Sequence, residues 1–159
     1  MEQFSLLRIK YPRFDDIAFE QGLQDLSKTE YALSATPEQA PAVTHCITAM
    51  RYLIAKTTGW TLPRMYIWNM PRRILDAQAP QAVLVPLEEG ERGDLIFFHR
   101  KSLTYKAYMI THVGILIDEE TFFHSTVGTG WTFERIDSRI HEWAIASCRM
   151  LTGLTDPRG

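Results

Sequence analysis

The order of the predicted elements assigns this chain to the α+β class. Helical patterns dominate the first half, and β-rich segments separated by turn residues fill residues 94–136. Strands that follow one another through short turns pair antiparallel. We therefore expect N-terminal helices packed on a central antiparallel β-sheet.

Length and composition are typical of one globular domain. The chain has 159 residues, of which 45% are hydrophobic and 23% are charged, and its net charge is −2. One sizeable core is expected at this length, so we predict a single domain over residues 1–159. The small net charge argues against nucleic acid as a partner. Two cysteines in different contexts form neither a disulfide framework nor a zinc-ligand spacing, so we predict no metal and no cofactor.

No segment resembles a membrane span or a secretory leader. Nowhere do about 18 apolar residues run together. The apolar cluster at residues 4–7 is shorter than the core of a signal peptide, which needs about 7–15 apolar residues. We expect a cytoplasmic protein, or one exported without a classical signal peptide.

The clearest helix covers residues 43–58. Cys46, Met50 and Leu53 fall at helical spacing, Thr44 is the predicted N-cap, and Gly59 is the predicted stop. Cys46 then lies in the first turn, where unpaired backbone N–H groups and the positive end of the helix dipole favour a thiolate.

The remaining elements are predicted from periodicity and turn residues. Asp15 or Asp16 caps a helix that ends near Ser27, with Ile17, Leu23 and Leu26 facing inward. A short helix is predicted within 64–78 and a turn or single helical turn at 138–143. The predicted strands are 4–11, 94–99, 108–117, 121–126, 131–136 and 144–151. Cys148 falls in the last of these strands and is interpreted as a core residue.

Two histidines fall on one predicted hairpin, at His112 and His124. A three-residue turn over 118–120 pairs Gly114 with His124 and makes the two histidines diagonal neighbours on one face of the sheet. The missing side chain of Gly114 leaves room for an imidazole. A two-residue turn would put the histidines on opposite faces.

A cysteine at a helix start, a strand histidine and a second polar group one hairpin arm later occur in the order of a thiol-nucleophile enzyme. Each residue alone is more often structural. Together they predict a triad of Cys46, His112 and His124.

Three segments carry a family resemblance. The sequences Gly-Asp-Leu-Ile-Phe-Phe at 93–98, His-Val-Gly-Ile-Leu-Ile at 112–117 and Phe-Phe-His-Ser-Thr at 122–126 resemble the core of the NlpC-type peptidases. These are papain-like cysteine hydrolases that cleave bacterial cell-wall stem peptides. The resemblance covers about residues 30–151 and implies a papain-like fold. It also implies that Cys46 is the nucleophile, His112 the base and His124 the residue that orients it.

The implied function is cleavage of amide bonds in stem peptides or muropeptides through an acyl-enzyme. Tyr31, His45, Arg100 and Lys101 are candidate substrate-binding residues. The last two open a basic loop that could receive a substrate carboxylate, although a solvated loop explains the same charges. Family members usually have Asp-Cys-Ser-Gly at the nucleophile, where this chain has His-Cys-Ile-Thr at 45–48. Two alternatives therefore stay open: an effector-type acyltransferase or hydrolase acting on another protein or lipid, and a catalytically inactive binding domain.

Overall fold

The structure, a computed structural model, describes residues 4–10, 14–77, 81–100, 110–126, 130–136, 143–146 and 148–152. The helices in these residues are α1 (Asp16–Leu26), α2 (Cys46–Thr58), α3 (Met70–Asp76) and α4 (Cys148–Leu151). The strands are β1 (Phe4–Ile9), β2 (Glu30–Tyr31), β3 (Val43–Thr44), β4 (Ala82–Pro86), β5 (Leu95–Arg100), β6 (Ile110–Leu116), β7 (Thr121–Thr126), β8 (Gly130–Arg135) and β9 (Trp143–Ile145). The predicted α+β class is confirmed.

Antiparallel pairing organises the main sheet. Within the described residues its strand order is β4-β1-β5-β6-β7-β8, and β9 pairs with the end of β5 that β1 leaves open. The short strands β2 and β3 form a separate parallel pair just before α2. The strand that carries His112 therefore lies inside the sheet, between β5 and β7.

Two apolar clusters cover the two faces of the sheet. The larger one lies between the helices and the face of the sheet that carries Phe97, Val113 and Ile115, and α2 packs there on β6 and β7. The alternate residues of the same strands, among them Phe98 and Phe122, form a second cluster on the other face. This alternation follows from the two-residue period of a strand.

Helix α1 agrees with the prediction at its start and differs at one inward residue. The Asp15 side chain accepts the N–H groups of Ile17 and Ala18 at 3.0 and 3.1 Å, and Leu23 and Leu26 are buried. Ile17, predicted to face inward, is 74% exposed. It precedes Leu23 by six residues and so lies about 120° from it around the helix.

The final segment was predicted wrongly as one strand over 144–151. The chain instead forms β9 and then α4, whose Leu151 is buried in the larger cluster. A short apolar run does not distinguish a buried strand from a buried helix by its period. Three further predictions concern side chains or residues wholly or mostly outside the described parts of the chain. They are the interpretation of Cys148 as a core side chain, the turn over 138–143 and the start of the strand at 108–109.

The segment between Trp60 and Gly93 holds the predicted short helix as α3, and also an unpredicted strand, β4. This strand lies at the edge of the sheet and ends at Pro86. A proline is tolerated there because an edge strand does not need every backbone N–H for pairing.

Candidate active site

Helix α2 begins at Cys46, and the residue before it, His45, is the N-cap. The Nδ1 atom of His45 accepts the N–H groups of Ile47 and Thr48 at 3.1 and 3.3 Å, and the Thr48 hydroxyl accepts the His45 N–H at 3.0 Å. The prediction of Thr44 as the N-cap is wrong. Its hydroxyl instead lies 2.8 Å from that of Thr29 and 3.1 Å from that of Ser125.

The capping role fixes the protonation of His45. Burial lowers its pKa, against the smaller opposite effect of a hydrogen bond to the Ala35 carbonyl. A neutral ring with a bare Nδ1 is the form that accepts the two N–H groups. His45 lines the same cavity as Cys46, but both of its ring nitrogens are engaged by the backbone.

Cys46 is the first residue of α2, as its predicted place in the first turn requires, and it is buried. Burial raises the pKa of its thiol to about 11, while backbone N–H groups of Val113, Ile47 and Cys46 itself act in the opposite direction. The prediction that Cys46 is a thiolate is therefore wrong for the resting protein. The helix start supplies the N–H groups, but desolvation of the sulfur outweighs them.

The hairpin of β6 and β7 has the register that a three-residue turn predicts. Ile115 pairs with Phe123, Leu116 pairs with Phe122, and the Ile117 N–H donates to the Thr121 carbonyl at 2.9 Å. His112 and His124 lie on one face, as predicted.

The two histidine rings meet directly. Nε2 of His112 lies 2.7 Å from Nδ1 of His124, and the rings cross edge to face at 77°. A Cβ on Gly114 would lie 3.4 Å from the Cβ of His124 and 2.7 Å from the carbonyl oxygen of Phe123. The missing side chain of Gly114 therefore lets the β7 backbone and the Phe122 ring approach β6 closely, next to His124.

Both rings are neutral at ordinary pH. Burial lowers the pKa of His124 to about 4. The pKa of His112 lies well below its usual value, through burial first and the charge of His124 second. A neutral imidazole in the same cavity wall as a neutral thiol can serve as a general base once the two groups are in contact.

A cavity of about 470 Å³ contains Cys46 and His112 in its wall, together with Tyr31. Helix α2 packs on one face of the sheet and His112 projects from the other. The cavity reaches both because it lies where β6 begins and β7 ends, so that consecutive residues of each strand line it. These are Thr111 and His112 on β6, and Ser125 and Thr126 on β7.

The sequence analysis missed the two arginines of this wall, Arg51 and Arg64. Arg51 follows Ile47 by one helical turn, and both line the cavity, so helical spacing could have found it. Tyr66 and Trp68 stack at 6.1 Å on the rim and are largely exposed. Of the predicted basic pair, Arg100 ends β5, while its side chain and all of Lys101 lie outside the described part of the chain.

The protein is thus an α+β domain with a cysteine at a helix start and a pair of histidines on its sheet. The model of the NlpC/P60 family matches residues 28–149, and the chain belongs to this family. Members are generally cysteine peptidases or amidases that act on cell-wall peptides. No curated protein matches the chain.

Solved structures share the fold. NlpC2 and NlpC1 from Trichomonas vaginalis are 21% and 18% identical, and an NLP/P60-family protein similar to lipoprotein, from Staphylococcus aureus, is 23% identical; each has a TM-score of 0.54. Each alignment covers 82% of this chain, but only 43%, 41% and 40% of the respective relatives. The chain thus spans less than half the length of these proteins.

No helix in the described residues is long and apolar enough to cross a membrane.

Proposed function

We propose that this protein is a cysteine hydrolase that cleaves amide bonds in peptidoglycan stem peptides or muropeptides. The observation that carries the proposal is the pair of His112 and His124, joined at 2.7 Å, with His112 in the same cavity wall as the first residue of α2, Cys46. Membership of the NlpC/P60 family supports the reaction class and the cell-wall substrate.

The proposed reaction starts from a neutral thiol. His124 occupies Nε2 of His112, so Nδ1 of His112 is the atom that would take the proton from Cys46. The sulfur attacks the amide carbon as its proton moves to Nδ1. His124 then accepts a hydrogen bond from the imidazolium that forms and so stabilises it.

The oxyanion of the tetrahedral intermediate needs N–H or O–H donors next to the attacked carbon. The N–H groups of Ile47 and Thr48 donate to the His45 ring, whereas the Cys46 N–H acts on its own sulfur, beside which the oxyanion forms. Tyr31 lies in the same wall, and its pKa is raised by burial and by the charge of Cys46, so its hydroxyl stays a donor. We assign these two donors to the oxyanion.

Collapse of the intermediate completes acyl transfer. His112 returns its proton to the leaving nitrogen, the C–N bond breaks, and a thioester to Cys46 remains. Water then attacks the thioester carbon and gives a proton to His112, which passes it to the leaving sulfur. The products are an amine, a carboxylic acid and the regenerated thiol.

The charge of the cavity fits an acidic peptide. Arg51 and Arg64 are both in its wall. A guanidinium binds a carboxylate through two parallel hydrogen bonds, and stem peptides carry several carboxylates. This supports a stem-peptide substrate over a neutral lipid.

The test is cleavage of stem peptides and muropeptides, read by mass spectrometry between pH 4 and 9. We expect cleavage at a peptide amide that Cys46→Ala and His112→Ala abolish, while His124→Ala keeps a small fraction of the rate. The rate should persist below about pH 6.5, the usual histidine pKa, because burial holds the pKa of His112 well below it.

Cys148→Ala is the matched control, since it removes the other thiol of the chain and should leave cleavage intact. Cleavage that survives Cys46→Ala would end the hydrolase proposal. Modification of another protein or lipid, with stem peptides untouched, would replace the substrate and keep the chemistry.

A further inference from the structure

A carboxylate lies next to the histidine pair, on the neighbouring strand β8. Nε2 of His124 lies 3.4 Å from Oε2 of Glu134 on β8, a contact at ion-pair distance that does not reach the geometry of a hydrogen bond. That oxygen is inaccessible to solvent, although the Glu134 side chain as a whole is 36% exposed. One end of the carboxylate is thus directed inward at the ring while the rest of the side chain remains at the surface.

The sheet register explains this alignment. His124 pairs with Thr132 and Phe122 pairs with Glu134, so Glu134 is the diagonal neighbour of His124 on the same face. His112 is the diagonal neighbour of His124 on the other side, since Leu116 pairs with Phe122. Diagonal neighbours on adjacent strands are close enough for long side chains to meet. His112, His124 and Glu134 therefore form one line across three adjacent strands.

The direction of the protons along this line decides whether His112 can act as a base. A neutral imidazole has one bare nitrogen and one N–H. His112 can take a proton at Nδ1 only if its own proton is on Nε2, where it is donated to Nδ1 of His124. His124 must then be bare at Nδ1 and carry its proton on Nε2, which is the atom that faces Glu134.

We propose that Glu134 is a positioning residue that holds both histidines in the Nε2–H form and so leaves Nδ1 of His112 unprotonated and able to accept the thiol proton. An ionised carboxylate accepts hydrogen bonds and donates none, so it favours a proton on the nitrogen next to it. Without Glu134, His124 can carry its proton on Nδ1 and donate it to His112. That reversal would place the His112 proton on Nδ1 and block the base. The inference rests on the proposed function for its catalytic meaning, but the proton arrangement can be measured without a substrate.

The first experiment is nitrogen-15 NMR of the histidine side chains in the full chain, which distinguishes Nδ1–H from Nε2–H rings. We expect both rings of the wild type to be Nε2–H. In Glu134→Ala, part of the His124 signal should move to the Nδ1–H form. Glu134→Gln should keep the wild-type pattern, because its amide oxygen also accepts from Nε2–H. Glu134→Met, which fills similar space and offers no comparable acceptor, should behave like Glu134→Ala and serves if the alanine variant does not fold.

The second experiment measures the rate at which iodoacetamide alkylates Cys46, followed on the Cys46 peptide by mass spectrometry. We expect the rate to fall about 10- to 100-fold in Glu134→Ala and much less in Glu134→Gln. In a His124→Gln background, where an amide has no tautomers, Glu134→Ala should have no further effect. Glu119→Ala, which removes an exposed carboxylate from the turn of the β6–β7 hairpin, is the matched control and should change nothing.

The two possible failures have different signatures. Unchanged histidine tautomers in both Glu134→Ala and Glu134→Met would overturn the role of Glu134 and leave the proposed hydrolase intact. Equal alkylation of Cys46 in wild type and His112→Ala would instead overturn the proposed function, because His112 would then not act on the thiol.

Discussion

At the scale of single residues, the N-cap of α2 is the least expected feature. Asp, Asn, Ser and Thr are the usual side chains at this position. Here a half-buried imidazole accepts two backbone N–H groups, directly before Cys46. Unlike a hydroxyl or an amide, this acceptor is lost when it takes a proton, so the start of the helix depends on pH.

We expect His45→Ala to lower the free energy of unfolding by about 1 kcal/mol at pH 7.5, the usual cost of a lost cap. His45→Asn should retain most of the stability. Urea unfolding with both variants measures these differences, and equal stability of wild type and His45→Ala would contradict the capping role.

The same residue gives a prediction on pH. The pKa of His45 is lowered in the folded protein, so the unfolded chain binds its proton more readily. The stabilising effect is complete above about pH 6.5 and is lost as the pH falls through the folded pKa. Wild type should therefore lose more stability than His45→Asn between pH 7.5 and 5. Parallel losses in the two proteins would mean that His45 does not titrate as a cap.

At the scale of elements, the β6–β7 hairpin holds the histidine pair in place. We expect Gly114→Ala to cost about 1–3 kcal/mol of stability, because its Cβ would lie 2.7 Å from a backbone carbonyl that cannot move away alone. It should also lower the rate of the proposed cleavage at temperatures where the protein is folded, since His124 follows Phe122 among the nearest neighbours, with its Cβ at 3.4 Å. Thermal unfolding and cleavage assays measure the two effects.

Gly90→Ala is a suitable comparison for that substitution. A Cβ there would meet the ends of the Leu116 and Leu6 side chains at 2.7 and 3.0 Å, and flexible side chains can adjust. We expect a smaller loss of stability and no loss of activity in the folded protein. If Gly90→Ala lowers the rate as much as Gly114→Ala, the space beside His124 is not the cause.

Predictions from the sequence succeeded where the decisive geometry was local. The length of the 118–120 turn determines the β6–β7 register, and helical spacing determines the position of Cys46. The N-cap could not be predicted, because the Thr44 hydroxyl is engaged by Thr29 and Ser125, which are distant in the sequence. The raised pKa of Cys46 likewise depends on burial by elements that only the fold brings together.

The place of Glu134 could not be predicted in the same way. The predicted strands 121–126 and 131–136 leave the β7–β8 register open, and a shift by one residue moves Glu134 to the other face of the sheet. The residues proposed to bind the substrate were also hard to predict. A basic loop is visible in sequence at Arg100 and Lys101, whereas Arg51 and Arg64 reach the cavity from a helix and a loop.

At the scale of the whole molecule, the segment before the family match is part of the sheet. Strand β1 precedes residue 28, where the match begins, yet it lies between β4 and β5. Two hydrogen bonds of 2.8 Å join Arg8 on β1 to Asp94 at the start of β5. Asp94 is 1% exposed, and burial raises its pKa despite the opposing effect of Arg8.

We expect Arg8→Met to lower stability by about 2 kcal/mol at neutral pH, because it leaves a buried carboxylate without its main partner. The loss should be smaller than for a fully buried pair, since Arg8 is 26% exposed. It should also shrink in acid, where Asp94 takes a proton. Urea unfolding at two pH values checks both points.

The double variant Arg8→Met with Asp94→Asn isolates the charge, because it removes both partners. It should lose less stability than Arg8→Met alone. If the single and double variants are equally destabilised, the contribution of Arg8 is packing rather than charge.

The raised pKa of Cys46 also bears on how long the protein survives in an oxidising environment. Peroxide reacts with thiolates rather than thiols, and with a pKa of about 11 only about one molecule in ten thousand carries a thiolate at pH 7. A cysteine enzyme that keeps a permanent thiolate would lose its sulfur to sulfenic acid far sooner. In the proposed mechanism the sulfur becomes a strong nucleophile only while His112 removes its proton. The burial that raises the pKa of Cys46 should therefore also slow oxidation of the resting protein.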